Sequence, residues 1–475
     1  MPGRNDWVPL PIGAKLFQNI DEAALTRAQA AMENSFVTEA DGQSRFPGLK
    51  DFAALPDQGR VYLHDHRGDL MAATSNGKLY RCDASGAVED VTEVPIGGGG
   101  RTVFTKTDQE LIMSAGGPLV SYSGAKTRLL TEDEDAPQST HTGFIDSFVL
   151  AIEKDSGRFQ HTEAGAYDEW DPLDTFSADG NADNITSMLI TPYREVMLCG
   201  PESIEQFERR DGTTPFFRRW SIGEGVKGPY LVCFADNAML AVNQRNEMVR
   251  ISGQVAQPIS DDIGLVLEKV RDWSDAWIGG YPDRPLHVKG QKFVLLQIPN
   301  AETPYGTKGL TYVYDYRKRI FSNLYGWDEK LSLPTRWPGW SYWPLWDRVF
   351  VGGEGRIYEF DMDRYNNGGQ LQRWLLRTAF IADYGESAID DLRLRIKRGV
   401  GGNDAEPSIR LRVNRDNKGF GRWLSRGLGA AGDRMMHINF GAMGQAFSWQ
   451  FELECTADCP IELSRIEVQV MPVGV

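Results

Sequence analysis

Asp347-Arg-Val-Phe-Val-Gly-Gly-Glu-Gly-Arg-Ile-Tyr358 is a short apolar run, a tight glycine-rich turn and a second apolar run. The same pattern recurs along most of the chain. Clear copies are Asp69-Leu-Met-Ala-Ala-Thr-Ser-Asn-Gly-Lys-Leu-Tyr80, Glu110-Leu-Ile-Met-Ser-Ala-Gly-Gly-Pro-Leu-Val-Ser-Tyr122 and Glu195-Val-Met-Leu-Cys-Gly-Pro-Glu-Ser-Ile-Glu-Gln-Phe207. Asn237-Ala-Met-Leu-Ala-Val242 with Glu247-Met-Val-Arg-Ile251 repeats it, and weaker copies run from Ser147 to His161 and from Phe293 to Tyr316. Each unit reads as a β-hairpin with an apolar face that it cannot bury alone. Such units, roughly 40–50 residues apart, predict an all-β fold: a six- or seven-bladed β-propeller over residues 51–374. One propeller scaffold serves many unrelated activities, so the pattern narrows fold more than function.

The flanks read differently. Residues 1–50 form an N-terminal arm, with mild helical character over Ile20-Asp-Glu-Ala-Ala-Leu-Thr-Arg-Ala-Gln-Ala-Ala-Met32. Within the repeats, Asp261 to Trp273 is the best candidate for a helix, and it is short. In residues 375–475, Asp391-Leu-Arg-Leu-Arg-Ile-Lys397, Ser408-Ile-Arg-Leu-Arg-Val413 and Ser448-Trp-Gln-Phe-Glu-Leu-Glu454 alternate strictly. They predict a separate C-terminal antiparallel β domain, sandwich-like, with one polar face on each strand.

The chain has 51 Lys and Arg against 66 Asp and Glu, a net charge of −15. That argues against a phosphate-binding surface, because nucleic-acid readers carry basic patches. The acidic run Thr131-Glu-Asp-Glu-Asp135 reads as a solvated loop or as a repulsive wall beside DNA. No apolar run approaches the roughly 18 residues of a membrane span. The N-terminus lacks the pattern of a signal peptide, so synthesis in a reducing cytoplasm is expected. Cys82, Cys199 and Cys233 sit among apolar residues and read as buried thiols. Cys455-Thr-Ala-Asp-Cys459 has the spacing of a metal half-site, but no second pair follows and four ligands are needed, which argues against a metal there.

Several constellations invite chemical readings. His64-Asp-His66 puts two imidazoles on one strand face, without an obvious third ligand. Ile96-Gly-Gly-Gly-Gly100 before Arg101 has the glycines of an anion cradle but not the ending of a phosphate loop. Asp361-Met-Asp-Arg-Tyr-Asn-Asn-Gly368 has the wrong ligand spacing for a calcium loop and reads as a polar turn. Asn414-Arg-Asp-Asn-Lys-Gly-Phe-Gly-Arg-Trp423 resembles the Asp-box of sialidase-type propellers, a structural turn. Trp337, Trp340, Trp343 and Trp346 recur every third residue, separated by Pro338, Pro344 and small residues, which suits an extended polyproline-like strand with an aromatic edge. That edge is either a platform for a sugar or a partner chain, or a plug covering core. No Ser/His/Asp triad, Cys/His pair or nucleotide fingerprint can be placed.

The order of motifs carries a resemblance. Arg45-Phe-Pro-Gly-Leu49 is followed by Asn76-Gly-Lys-Leu-Tyr80, Trp170-Asp-Pro-Leu-Asp174 and Ala182-Asp-Asn-Ile-Thr186. Then come Ser203-Ile-Glu-Gln-Phe207, Asp211-Gly-Thr-Thr-Pro-Phe216, Gly225-Val-Lys-Gly228, Thr311-Tyr-Val-Tyr-Asp-Tyr316 and the turn from Asn414 to Trp423. From about residue 40 onward the chain resembles the packaged-DNA stabilisation proteins of short-tailed phages, also called tail hub or head-completion proteins. The resemblance implies a structural virion protein with no catalysis and no cofactor. It implies a homo-hexameric ring below the portal and its adaptor, retaining the genome in its lumen without specific DNA binding. Tail needle, nozzle or tailspike components would mount on it. Arg45, Phe46, Trp337, Trp340, Trp343 and Trp346 are then the candidate partner interface. A glycan-degrading or glycan-binding tail propeller is the competing expectation, and a cytoplasmic protein-binding propeller a third.

Overall fold

The computed structural model describes the chain except residues 1–6, 11, 13–29, 133–134, 179, 181–182, 213, 280–284, 383–384, 398–405, 430–436 and 474–475. The described residues are almost entirely strand and turn. Their one α-helix, Gly264–Leu267, falls inside the segment expected to be helical. Most of the stretch from Ile20 to Met32 lies outside the described residues, and its end, Ala31–Glu33, is strand.

Seven four-stranded antiparallel units follow one another along the chain. Five are separate sheets, spanning residues 61–90, 103–129, 142–177, 187–222 and 232–258. The sixth (277–323) and seventh (341–361, completed by 48–54) belong to longer sheets. Each of the seven sequence hairpins forms the second and third strands of one unit. These middle strands are covered on both faces by neighbouring units. Phe148–Ile152 and Ala238–Val242 are therefore buried at every position, which is why they read as unbroken apolar runs. The outer strand Val255–Pro258 is largely exposed.

First strands lie side by side around the axis. Ser341–Leu345 packs on Val61–His66, Val103–Lys106 on Thr142–Ile145, and Ser187–Ile190 on Val232–Ala235. The result is a seven-bladed propeller. Its last blade lacks a fourth strand of its own, and Gly48–Ala54 supplies it by pairing with Arg356–Asp361. The ring is thus closed by a strand from ahead of the first blade.

The described part of residues 1–50 is built into the sheets rather than standing apart as an arm. Their described strands enter three sheets. Ala31–Glu33 pairs with Ile320–Asn323 of the sixth blade on one side and Trp374–Arg377 on the other. This carries the blade's sheet on into Trp449–Cys455, Ser408–Arg415 and Leu424–Gly427. Trp7–Pro9, Ser35–Val37 and Gln43–Arg45 join a second sheet, built on Ser387–Ile396 and Glu462–Pro472. The two sheets share one core that includes Trp374, Leu394, Leu411, Phe451 and Ile466. Residues 375–475 therefore do not close on themselves: strands from the start of the chain complete their sheets.

Arg45-Phe-Pro-Gly-Leu49 is where these parts meet. Arg45 is 0% exposed. Its Nη1 donates to the carbonyls of Ala457 (2.5 Å) and Cys459 (3.0 Å), and its Nη2 to those of Tyr365 (3.2 Å) and Gln372. Burial pulls its pKa down. Phe46 packs on Phe36 and Phe293, at 5.0 and 5.3 Å between ring centroids. At Gly48 the chain crosses so closely that a Cβ would sit 2.1 Å from the Asn366 carbonyl oxygen. Upstream, Asn34 adopts a positive φ of 49° and donates to the Arg373 carbonyl (2.7 Å) while accepting from the Tyr325 N–H (3.0 Å). As candidate interface residues, Arg45 and Phe46 are corrected: both are internal, and they join segments of this chain.

Replacing Arg45 by alanine removes the side-chain donor from the buried carbonyls of Cys459, Tyr365 and Gln372, while that of Ala457 keeps the Cys459 N–H (2.9 Å). A loss of about 3 kcal/mol or more is expected, at about 1–3 kcal/mol for each buried acceptor left unpaired. Arg45→Lys should recover only part of it, because an ammonium cannot span carbonyls as a planar fork does. Urea denaturation followed by circular dichroism measures both, and a loss below about 1 kcal/mol would contradict the role.

Candidate functional site: a cavity on the propeller axis

The first strands of the blades line a partly open cavity of about 120 Å3. Every blade or the turn leading into it contributes: Tyr62, Arg101, His141, Met188, Val232, Trp277 and Trp343, in blade order. Arg101 reaches the axis because of the four glycines before it. Gly98 has a φ of +104°, and a Cβ there would sit 2.3 Å from the Gly117 nitrogen. The Gly100 N–H donates to the Ala115 carbonyl (3.0 Å). The glycine run is thus pressed onto the neighbouring turn, and the residue that follows it, rather than its backbone, faces the cavity.

The Arg101 guanidinium lies against the rings of Tyr62 (4.8 Å) and Trp277 (4.7 Å), and Nη1 donates to the Trp340 carbonyl (2.7 Å). The backbone N–H of Arg101 donates to the Tyr230 hydroxyl (3.0 Å). Burial lowers the Arg101 pKa and pushes that of Tyr230 up to about 12. His141 stacks on Tyr230, with centroids 5.3 Å apart, and burial holds its pKa down at about 4. Its imidazole is neutral at neutral pH. His64 stacks on Trp343 at 4.1 Å. The cavity therefore presents one cation, hydroxyl and imidazole groups, and apolar walls.

Of the histidine pair read from sequence, His64 lines this cavity, while His66 is buried beside Tyr122 (5.6 Å) and its pKa is lowered by burial. Among the described residues no group of three His, Cys, Asp or Glu side chains is placed to hold a metal ion. Cys455 and Cys459 are both buried, with their sulfurs 3.9 Å apart. In the polar turn after the last blade, Asp361 accepts from the Asp363 N–H (3.0 Å). In the Asp-box-like turn, Asn414 accepts from the Gly419 N–H (3.0 Å) and Asp416 from the N–H groups of Phe447 (2.8 Å) and Ser448 (3.0 Å). Trp423 there covers the guanidinium of Arg412 at 4.4 Å.

The tryptophans are corrected as partner anchors. Trp337, Trp340 and Trp343 are buried in three different core clusters. Trp346 is half-buried and donates to the Gly68 carbonyl (3.0 Å). The Trp340 indole is held between Arg60 (4.3 Å) and Arg336 (4.2 Å). The segment is not polyproline-like: Ser341–Leu345 is the first strand of the seventh blade. Pro344 is tolerated because that strand is a blade edge facing the axis. The quartet covers core. Tyr62, Tyr230, Trp277 and His141 carried no sequence signal as a group. Among the lining residues, Arg101 had one in the glycines before it, and His64 and Trp343 were singled out for other reasons.

No family model matches the chain, and no curated protein matches it. Solved structures do. A streptogramin B lyase is 11% identical, with 66% of this chain and 96% of that chain covered and a TM-score of 0.42. Virginiamycin B lyase from Staphylococcus aureus is 9% identical over 66% of this chain and 98% of that one, with a TM-score of 0.43. The WD40 β-propeller domain of Doa1 is 10% identical over 66% and 96%, with a TM-score of 0.39. The propeller assignment rests on the strand pairing described above.

The His141 environment sets a pH dependence. In the unfolded chain it protonates near its ordinary value of 6.5, and in the folded chain only near 4. The unfolded state binds more protons across that window. Stability should therefore fall as the pH drops from about 6.5 to 4, by about 3 kcal/mol in all, with no further loss from this residue below. His141→Phe keeps a ring on Tyr230 but removes the titration. Urea midpoints should fall less steeply for the variant across this window, and parallel slopes would contradict the assignment.

Proposed function

We propose that this chain is a structural component of a short-tailed phage particle, a tail hub at the head-to-tail interface. The observation that supports this most is mechanical. One N-terminal segment closes the propeller through Gly48–Ala54 and completes the second β module through Ala31–Glu33 and Gln43–Arg45. Such interlacing suits a part that bears load more than one that opens and closes. Arg45-Phe-Pro-Gly-Leu49, the first motif of the resemblance, is the crossing point itself.

Charge supports the way such a part would act on DNA. Residues 375–475 contain 13 Lys and Arg against 13 Asp and Glu, so the whole net charge of −15 falls in residues 1–374. In this reading a homo-hexameric ring sits below the portal-bound adaptor. It holds the genome by blocking its exit, and tail needle, nozzle or tailspike components mount on it. Blocking needs a closed ring and a stack of parts, and no phosphate contacts. The competing glycan reading gains nothing from the axial cavity. At about 120 Å3 it is smaller than the ~150 Å3 that holds one benzene. A hexose has about twice benzene's non-hydrogen atoms.

Particles assembled without this protein should package DNA and then leak it, measured as nuclease-accessible DNA after packaging. The purified protein should show no duplex binding at moderate salt. Particles that keep their genome without it would overturn the retention role. Tight, salt-sensitive duplex binding would overturn the blocking mechanism.

A further inference from the structure

Arg101 poses a physical problem that the hub role does not address. A guanidinium set deep in a fold is costly unless its charge is paired. Arg101 spends one side-chain nitrogen on the Trp340 carbonyl (2.7 Å). Among the described residues no carboxylate lies within ion-pair distance of it. Asp275, the carboxylate closest in its electrostatics, is engaged by Arg60 at 2.8 Å. None of the Arg101 nitrogens is sealed away without a partner, and the side chain lines the axial cavity, so its remaining donors open onto that space.

We propose that the axial cavity binds a short-chain monocarboxylate, with its carboxylate on the Arg101 guanidinium between Tyr62 and Trp277. A planar carboxylate matches the donor fork. The two rings hold that fork in place from 4.8 and 4.7 Å. Tyr230 accepts from the Arg101 N–H, which leaves its own O–H proton for a ligand oxygen. The neutral His141 adds no charge. The lining also includes Val103, Met188, Val232 and Ile278, which suit an alkyl tail. Those walls disfavour phosphate, whose other oxygens would be left against apolar atoms. A cavity of about 120 Å3 admits a ligand of acetate to butanoate size, by comparison with the ~150 Å3 that holds benzene.

The test uses the purified full chain and saturation-transfer NMR of propanoate. Phosphate and chloride serve as competitors at matched ionic strength. Saturable propanoate binding is expected. Arg101→Gln should weaken it by about tenfold or more, the scale of a lost charge-assisted hydrogen bond. Val103→Phe, which fills the cavity and leaves Arg101 in place, should abolish it. Phosphate should compete about tenfold less well or worse. Absence of saturable binding to the folded wild type would overturn the proposal, and so would equal binding by a folded variant. Equal competition by phosphate would overturn the carboxylate assignment and leave a general anion site. If Arg101→Gln does not fold, Val103→Phe and the competition decide. All these readouts are independent of genome retention.

Discussion

Arg45 and the carbonyls of Ala457, Cys459, Tyr365 and Gln372 form the interaction on which the arrangement depends. A carbonyl at the end of a strand or in a turn must find a donor once it is buried. Here carbonyls from the turn after the seventh blade and from the loop before the last strand converge. One guanidinium, placed by the strand Gln43–Arg45, serves both segments. The clamp satisfies these carbonyls only when the N-terminal segment is threaded between the propeller and the second β module. Closing the ring and attaching that module thus become one structural event.

The remaining architecture follows from stacking. A blade has two apolar faces and cannot bury both unless it has a neighbour on each side. Seven blades around an axis provide those neighbours. The first strands, brought closest to the axis, crowd their side chains there, and a small cavity remains. Large aromatic side chains fill most of that space, which is why Trp343, Trp277 and Tyr62 meet near one arginine.

Much of the propeller was legible because its middle strands are buried on both faces. Leu70 to Ala73 or Phe148 to Ile152 cannot be polar without unfolding a blade, so each hairpin announces itself. The fourth strands were harder, since exposure lets residues such as Gln257 be polar. Gly48–Ala54 was harder still. Its role depends on pairing with Arg356–Asp361, some 300 residues away, and no local pattern records that. The three-residue spacing of Trp337, Trp340, Trp343 and Trp346 misled for a related reason. Spacing reports a repeating edge, but burial on each side depends on which blades flank it. The axial site was almost invisible, because its members come from different blades and share a location but no motif.

Through the N-terminal segment, propeller and second β module should unfold as one cooperative body. Native-state hydrogen exchange in rising urea, read by mass spectrometry, tests it most directly. The peptides covering Gly48–Ala54, Arg356–Asp361, Trp374–Arg377 and Trp449–Cys455 should lose protection together, at the denaturant level of global unfolding. Exchange of Trp374–Arg377 and Trp449–Cys455 at clearly lower urea, with the blades still protected, would contradict it.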